Sequence, residues 1–407
     1  MVYYKYKEKY LFSMKDEYGY EKTDSIPEEC RELYFLTRLK RNNSKKTFAV
    51  NHPSDLFIEE ESLDMLKLDE KRYDLPEIIL KLIDERKIKA VNTAYDDYEA
   101  SFRMDELKKN KVNILALGDV GSTLLTGLKL LGKNSIKAIG IYDRSGDKIK
   151  RWESEMGQTA FPFEDSLPEV HGIERDELFE CDMFVFCASK GVPPIGREDL
   201  DVRMVQFEEN AKLIREYALM AAESRFKGIF AVVSDPVDLL CQAVLKESKS
   251  LLAPEQIKGY GLGVMNARAM YYSKKYDKFA SYLQEGRAYG PHGKDLVIAN
   301  SIYDYDDDLS RELTRYTVEA NLEVRKTGFK PYIAPALSSG AISIVYTLEG
   351  KYHYSSNYLA GVYMGAKNRN LPSGLDIEKV KMPDKLFERI KNTYKRLKAD
   401  FNYNYRE

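Results

Sequence analysis

The sequence contains few of the residues that hold small secreted domains and metal proteins together. Its 407 residues include only four cysteines and four histidines. Cys30, Cys181, Cys187 and Cys241 lack the spacing of zinc ligands and are too sparse for a disulfide framework. We therefore expect no metal site and no disulfide scaffold, and a protein of a reducing compartment, the cytoplasm.

Long apolar runs and an excess of one charge are also missing. No stretch reaches the length of a membrane-spanning helix, and the opening residues MVYYKYKEKY are too polar for a signal peptide. The 63 basic residues nearly balance the 65 acidic ones, which leaves a formal charge of −2. This balance supplies no field that would attract nucleic acid or an anionic membrane. We expect neither as a partner.

The apolar content is sufficient for packed domains. An apolar fraction of 43% with 12% aromatic residues excludes general disorder, and the length indicates two or three domains. Residues 1–110 are dense in Tyr, Glu, Lys and Asp, and only 75–88 show clear helical periodicity. The sequence predicts a small accessory domain or an oligomerisation arm in this region.

From residue 111 onward, short apolar runs alternate with amphipathic helical stretches. Strands are predicted over 112–117, 138–143, 181–189 and 228–234. This alternation is typical of an α/β fold with a doubly wound parallel sheet and crossover helices. Past residue 280 the strands shorten and long helices intervene, which indicates a second, mixed α+β part.

A glycine-rich turn stands at the first strand-to-helix junction, in the segment Ala-Leu-Gly-Asp-Val-Gly. Gly118 would let the backbone approach a pyrophosphate, and Gly121 would let the helix pack on the strand. Asp143 ends the next strand, where a carboxylate suits ribose hydroxyls and favours NAD over NADP, although Arg144 beside it weakens that preference. The alternative is a glycine turn that binds nothing. The predicted cofactor-binding residues here are Gly118, Asp119, Val120, Gly121 and Asp143.

A second group of residues has the chemistry of acid/base catalysis and carboxylate binding. His292 stands in Tyr-Gly-Pro-His-Gly, where flanking glycines favour its presentation at a cleft. Arg268 follows the segment GLGVMNA, and Arg197 and Arg203 lie in the loop after the strand at 181–189. A guanidinium group binds both oxygens of a carboxylate. The alternative for the arginines is a solvated loop and helix face.

The order of these motifs resembles the lactate/malate dehydrogenase family across roughly residues 111–401. The motifs are the glycine turn, Asp143, CASKGVP, the Arg203-to-Asn210 spacing, VVSDPVD, GLGVMNAR and GPHG. The resemblance implies that His292 is the acid/base and that Arg268 binds the substrate carboxylate. It also implies that Arg203 polarises the substrate carbonyl from a mobile loop.

The resemblance also implies the surroundings of this site. Ser338 would line the substrate pocket, while Ala188 and Ser234 would lie along NAD. Counting along the loop places either Arg197 or Pro194 where malate-type enzymes have a second carboxylate-binding arginine. The implied architecture is a Rossmann-type NAD-binding domain over 111–264, a mixed α+β substrate domain over 265–407 and an accessory region over 1–110. A homo-oligomer acting on a small carboxylic acid is expected.

Two departures from the family pattern concern the histidine. Met265 stands where the family has an aspartate that orients the imidazole, and Asp235 stands where it has an asparagine. We hypothesise that the carboxylate has moved and that Asp235 partners His292 from the neighbouring strand; drift without catalytic demand is the alternative. A carboxylate at this position would also suit an amine or iminium substrate, and the altered loop would suit a bulky one. Met265 leaves a further reading open, a non-catalytic NAD-binding protein that uses residues 1–110 to bind a partner.

Overall fold

The structure, a computed structural model, describes residues 1–190 and 202–404, with only the backbone described at 202–205 and 402–404. Arg197 and Pro194 lie outside the described residues, and so does the side chain of Arg203. Within the described ranges, no helix combines the length and apolarity needed to cross a membrane. The four cysteines are all free thiols.

Residues 1–92 build a six-stranded mixed sheet. Its strands are β1 (Val2–Tyr6), β2 (Lys9–Ser13), β3 (Glu21–Thr23), β4 (Leu33–Thr37), β5 (Thr47–Ala49) and β6 (Ile88–Asn92), in the order β3-β1-β2-β4-β6-β5. Helix α1 (Glu77–Asp84) precedes β6. It is shorter than the periodic stretch because Pro76 stands at its start and Arg86 adopts a φ of 58°, which leads the chain into the strand.

A nine-stranded sheet forms the centre of the chain, in the order β17-β16-β15-β12-β11-β10-β7-β8-β9. Its parallel strands are β7 (Asn110–Leu115), β8 (Ile136–Tyr142), β9 (Glu169–Gly172), β10 (Met183–Phe186), β11 (Ile229–Val232) and β12 (Ile257–Gly259). The intervening helices are α2 (Asp119–Leu131), α3 (Gly146–Gly157), α4 (Val202–Glu223) and α5 (Val237–Glu247). The predicted doubly wound α/β sheet is confirmed, and the chain reverses its winding between β7 and β10, where such sheets bind ligands.

The C-terminal part contributes to the same sheet. The elements after β12 are α6 (Leu262–Lys275), α7 (Tyr282–Glu285), β13 (Arg287–Tyr289), β14 (Val297–Ala299), α8 (Asp307–Lys326), a π-helix (Pro335–Ile342), α9 (Ser343–Leu348), β15 (His353–Leu359), β16 (Val362–Leu371), β17 (Gly374–Ile377) and α10 (Asp384–Asn404). Strand β15 pairs antiparallel with β12 at Ser356 and Gly259. The sheet therefore runs across residue 264, and the division into domains at 110 and 264 stays a prediction.

The N-terminal sheet packs against the C-terminal strands and α10. One apolar cluster includes Phe12 and Phe35 from the first sheet together with Met364 from β16 and Leu386 and Ile390 from α10, all buried. Burial of this kind is the main favourable contribution to folding. Residues 1–92 are thus a folded unit whose core is shared with the other end of the chain.

A buried ion pair accompanies this shared core. Lys45 Nζ lies 2.6 Å from Glu61 Oε2, and the two side chains are 1% and 0% exposed. The ammonium also donates to the carbonyl of Tyr358 on β15, at 3.2 Å. Two charges removed from water depend on each other, because either one alone would be an uncompensated buried ion.

We expect Lys45→Met to destabilise the protein by about 3–5 kcal/mol, because it leaves the Glu61 carboxylate buried without its cation. Urea unfolding followed by circular dichroism measures the change. Lys22→Met is the matched control, since Lys22 pairs with Asp16 in an exposed ion pair, and it should leave the midpoint nearly unchanged. Equal midpoints for the two variants would contradict the assignment of a structural role to the buried pair.

Candidate active site

One cavity collects several of the residues singled out in the sequence. It has a volume of about 370 Å³, and His292, Asp235, Arg268 and Met265 are among its lining residues. Asp235 follows β11 and the segment that begins α6 follows β12. The cavity therefore lies at the carboxyl edge of the parallel strands, the edge at which doubly wound sheets bind ligands.

The imidazole of His292 is held by a backbone carbonyl. Its Nδ1 lies 3.0 Å from the carbonyl oxygen of Gly261. A carbonyl only accepts, so Nδ1 carries the hydrogen and Nε2 of the neutral ring is left as an acceptor. A residue with a side chain would not fit at position 261, because its Cβ would lie 2.9 Å from the Cβ of His292. Gly261, the first glycine of the GLG segment, thus accepts the hydrogen bond from His292 and leaves room for its side chain.

Ser339 completes this support from the π-helix. Its hydroxyl donates to the Gly261 carbonyl at 2.8 Å and accepts from the backbone N–H of Val264 at 2.8 Å. The side chain is 1% exposed. Ser339 therefore fixes the carbonyl that fixes His292, and it also caps the first turn of α6.

The sequence predicted a role for Ser338, the neighbour of Ser339. Ser338, predicted to line the substrate pocket, is not among the described residues that line the cavity. Its carbonyl oxygen accepts from the Ser343 hydroxyl at 2.8 Å. The PALSSGA motif contains both serines, and only the π-helical turn, which sequence periodicity does not reveal, decides which one faces Gly261.

The loop that carries His292 is fixed by its glycines and by a buried carboxylate. Gly290 and Gly293 adopt φ values of 91° and 114°, a region that favours glycine. The backbone N–H of His292 donates to Asp238 Oδ2 at 3.3 Å, and Ser356 donates to the other carboxylate oxygen at 2.7 Å. Asp238 belongs to VVSDPVD, so this motif anchors the histidine loop to α5.

Asp235 lies on the other side of the imidazole from the Gly261 carbonyl. Its Oδ2 is 4.0 Å from His292 Nε2, and its side chain is 49% exposed. Its carbonyl accepts from the buried amide of Asn210 at 2.8 Å, and that amide oxygen accepts from the N–H of Lys190 at 2.9 Å. The carboxylate faces the nitrogen that would exchange protons, whereas the nitrogen that orients the ring is held by Gly261.

Arg268 reaches the cavity from α6. Its Nη1 lies 3.6 Å from the Met265 sulfur, and within the described ranges no carboxylate lies within 4.0 Å of its guanidinium. Burial lowers the pKa of Arg268, and the charge of Asp235 partly opposes that shift. Met265 itself is buried in the apolar cluster around α6. A cationic fork without a close partner is suited to bind a carboxylate.

The glycine turn has the geometry of a dinucleotide-binding loop. A Cβ at Gly121 would lie 1.9 Å from the carbonyl oxygen of Ala116, whereas a Cβ at Gly118 would meet nothing within 4 Å. Ala116 has a φ of 76°, which turns the chain sharply after β7. Gly121 thus permits the close packing of α2 on β7, and Gly118 faces open space at the start of the helix.

Asp143 closes this loop from β8. Its two carboxylate oxygens accept from the backbone N–H groups of Leu117 at 2.8 Å and Ser145 at 3.0 Å. Burial raises its pKa, but these hydrogen bonds and Lys148 outweigh burial, so its pKa lies below the ordinary value. Lys148 Nζ also lies 3.5 Å from Oδ2, which leaves the second lone pair of Oδ1 for a ribose hydroxyl.

The remaining predicted cofactor residues lie along the same edge. Ala188 follows β10 and Ser234 follows β11. The hydroxyl of Ser234 is buried and has no hydrogen-bond partner among the described residues, which leaves it available to a bound group. Asp119 forms an exposed ion pair with Lys330 at 3.2 Å, and Val120 packs against the core around α2. The buried Ser234 hydroxyl suits a bound group at this edge, whereas the described contacts of Asp119 and Val120 are with the protein itself, and their role in cofactor binding stays a prediction.

The other three histidines lie elsewhere. His353 is buried, and burial together with the charge of Lys258 lowers its pKa to about 3. His52 caps a short helix and His171 lies in β9. In the described part of the chain, no group of three or more His, Cys, Asp or Glu side chains is arranged to hold a metal ion. His292 is therefore the histidine of interest for chemistry in the cleft.

Comparison with known proteins gives similarity in sequence and in fold. No family model matches the chain. Over 191 residues the chain is 27% identical to L-lactate dehydrogenase 1 of Staphylococcus aureus strain MRSA252, a match that covers 47% of this chain and 57% of that protein. The same protein of strain JH9 matches equally, at 27% over 191 residues. The chain thus spans little more than half the length of the curated relatives it matches.

Three solved structures share the fold over nearly their whole length. A lactate dehydrogenase from a Medee basin deep-sea metagenome library superposes with a TM-score of 0.61 at 17% identity, covering 73% of this chain and 99% of that one. The minor L-lactate dehydrogenase of Enterococcus mundtii has a TM-score of 0.59 at 20% identity, with 72% and 98% covered. The malate dehydrogenase of Picrophilus torridus has a TM-score of 0.59 at 16% identity, with 73% and 97% covered.

We expect Gly121→Ala and Gly118→Ala to differ sharply in stability. The first forces a methyl group into the Ala116 carbonyl and should cost about 1–3 kcal/mol or more. The second places its methyl group in open space and should change stability by less than about 1 kcal/mol. Thermal unfolding of the ligand-free protein measures both changes. Equal melting temperatures would show that the loop does not pack as described.

Proposed function

We propose that this chain, a divergent relative of the lactate and malate dehydrogenases, is an NAD-dependent oxidoreductase of small carboxylic acids. The family resemblance itself is confirmed by sequence and fold similarity. The observation that carries the proposed activity is the cavity shared by His292 Nε2 and the Arg268 guanidinium at the carboxyl edge of the sheet. An acid/base and a carboxylate clamp in one cleft are what oxidation at the carbon beside a carboxylate requires.

The cofactor would be held by the loop between β7 and α2. The helix start and the open space at Gly118 suit a pyrophosphate, and Asp143 suits the adenosine ribose. The buried Ser234 hydroxyl, which has no partner among the described residues, follows β11 at the same edge of the sheet. The negative charge of Asp143 repels a 2′-phosphate, which favours NAD over NADP. When bound, the nicotinamide supplies the hydride acceptor or donor that no side chain provides.

His292 would move the proton that accompanies hydride transfer. Its Nδ1 hydrogen is engaged by Gly261, so proton exchange falls to Nε2, which faces the cavity. Arg268 would bind the substrate carboxylate and so place the neighbouring carbon below Nε2. Arg203 would polarise the reacting group as the family resemblance implies, and Arg197 would bind a second carboxylate if the substrate has one.

A non-catalytic NAD-binding protein is the second candidate. The observation in its favour is Met265, which leaves His292 without the carboxylate that orients the family's imidazole. The Gly261 carbonyl and Ser339 weigh against it, since together they hold the ring in one tautomer without that carboxylate. Cytoplasmic location, homo-oligomeric assembly and a partner-binding role for residues 1–110 stay predictions.

We expect wild-type protein to oxidise NADH in the presence of some member of a panel of 2-oxo acids, or to reduce NAD with a member of the matching 2-hydroxy and 2-amino acids. His292→Gln should lower kcat by roughly 10²–10⁴-fold, because it removes the proton-exchanging nitrogen. NADH binding, followed by fluorescence, should stay unchanged in this variant. NADH binding without turnover of any acid would favour the non-catalytic candidate.

We expect Ser339→Ala to lower kcat by about tenfold while the affinity for NADH stays the same. The substitution frees the Gly261 carbonyl and leaves the Val264 N–H without its acceptor, so the imidazole loses part of its alignment. Ser338→Ala is the matched control and should leave kcat and KM unchanged. A raised KM in Ser338→Ala with normal Ser339→Ala kinetics would reverse the assignment of the two serines.

A further inference from the structure

The cavity presents two hydrogen-bond acceptors side by side. In the neutral ring, Nε2 of His292 is an acceptor, because the single ring hydrogen is on Nδ1, where the Gly261 carbonyl accepts it. The second acceptor is the Asp235 carboxylate, whose Oδ2 lies 4.0 Å away. This distance is too long for a hydrogen bond between the two groups. A donor atom that forms a hydrogen bond to each of the two acceptors, at about 2.8 Å from each, fits between them.

The backbone of Asp235 is held in place, and its side chain is 49% exposed at the cavity. The Asp235 carbonyl is bound by the buried amide of Asn210 at 2.8 Å. Across the cavity, the Asp235 charge acts on the Arg268 guanidinium. The cavity lining also includes Lys294 and Glu319, but the carboxylate that lies 4.0 Å from His292 Nε2 is that of Asp235.

The two acceptors distinguish substrates by the number of hydrogens on the oxygen or nitrogen attached to C2. A 2-hydroxyl group has one hydrogen, so it can donate to Nε2 or to Asp235 but not to both. A keto oxygen has none and would need the imidazolium form of His292 as its donor, and the negative charge that develops on it during reduction would face the Asp235 carboxylate. An ammonium group has three hydrogens and a positive charge, so it satisfies both acceptors at once.

We propose that the reacting carbon of the substrate carries nitrogen, so that the site takes 2-amino acids and their 2-imino counterparts. This inference rests on the proposed oxidoreductase function and names its substrate class. A zwitterionic 2-amino acid matches the charges of the cavity, because its ammonium group can bind Asp235 and His292 Nε2 while its carboxylate binds Arg268. Asp235 is then the residue that determines specificity.

The reaction balances with the groups already named. His292 Nε2 takes one proton from the ammonium group, which leaves a neutral amine. The C2–H bond then breaks and its hydrogen leaves with the electron pair as hydride, which oxidised NAD would accept when bound, while the nitrogen lone pair forms the C=N bond. The products are the 2-iminium acid, reduced NAD and the proton on His292. Asp235 accepts a hydrogen bond from the nitrogen throughout and stabilises the positive charge of the iminium.

The test compares acids with the same side chain and a different 2-substituent. Pairs such as alanine with lactate and phenylalanine with phenyllactate are assayed with NAD by absorbance of NADH, and binding of each acid to the NADH-loaded protein is measured by calorimetry. We expect the ratio of kcat/KM for amino over hydroxy acids to exceed 10 in the wild type. Asp235→Asn should lower this ratio at least 100-fold, because the amide replaces an anionic acceptor with a neutral group that also donates.

Glu319→Gln is the matched control, because it removes one negative charge from the same cavity wall and should leave the ratio within about threefold. Wild-type preference for hydroxy acids would overturn the inference and leave the proposed oxidoreductase function intact. If neither series turns over, calorimetry decides: tighter binding of amino acids that is lost in Asp235→Asn supports the inference, and its absence overturns it. Loss of NADH binding in Gly118→Ala reports separately on the cofactor site.

Discussion

The carbonyl oxygen of Gly261 is the point on which the candidate site depends. It accepts from His292 Nδ1 and from the Ser339 hydroxyl, so three distant segments of the chain meet at one acceptor. The tautomer of the imidazole, the direction of Nε2 and the start of α6 all follow from this contact. A backbone acceptor is neutral, so it orients the ring without adding the negative charge that an aspartate would supply.

The imidazole of His292 contacts a neutral carbonyl at Nδ1, whereas a carboxylate lies near Nε2. Asp235 places a carboxylate toward the nitrogen that exchanges protons, whereas an orienting carboxylate would contact Nδ1. The site is therefore not simply the family's arrangement with one residue moved. At position 235 the family pattern has an asparagine, whose neutral amide can also donate, whereas this chain has a carboxylate, which only accepts. The difference changes which substrate atoms can bind between His292 and Asp235, and it leaves the orientation of the imidazole to Gly261.

The sequence predicted the fold further than it predicted the site. Alternating apolar runs gave the parallel strands and their crossover helices, because buried parallel strands and amphipathic helices leave distinct patterns. The meeting of Gly261, Ser339 and His292 left no such pattern, since it depends on a π-helical turn and on the space that one missing Cβ provides. Asp235 was singled out as a partner of His292, but only coordinates show which ring nitrogen it faces. The antiparallel strands β15–β17 were not expected in the central sheet, because periodicity does not specify pairing partners.

The apolar cluster shared by the two ends of the chain has a consequence for biosynthesis. Phe12 and Phe35 emerge from the ribosome long before Leu386 and Ile390, which cover the same cluster. During translation, part of the apolar surface of the first sheet therefore stays uncovered until α10 has been made. Contacts of such long sequence separation slow folding and prolong exposure to aggregation, so the shared core makes the folding of the first sheet depend on the synthesis of the last helix described.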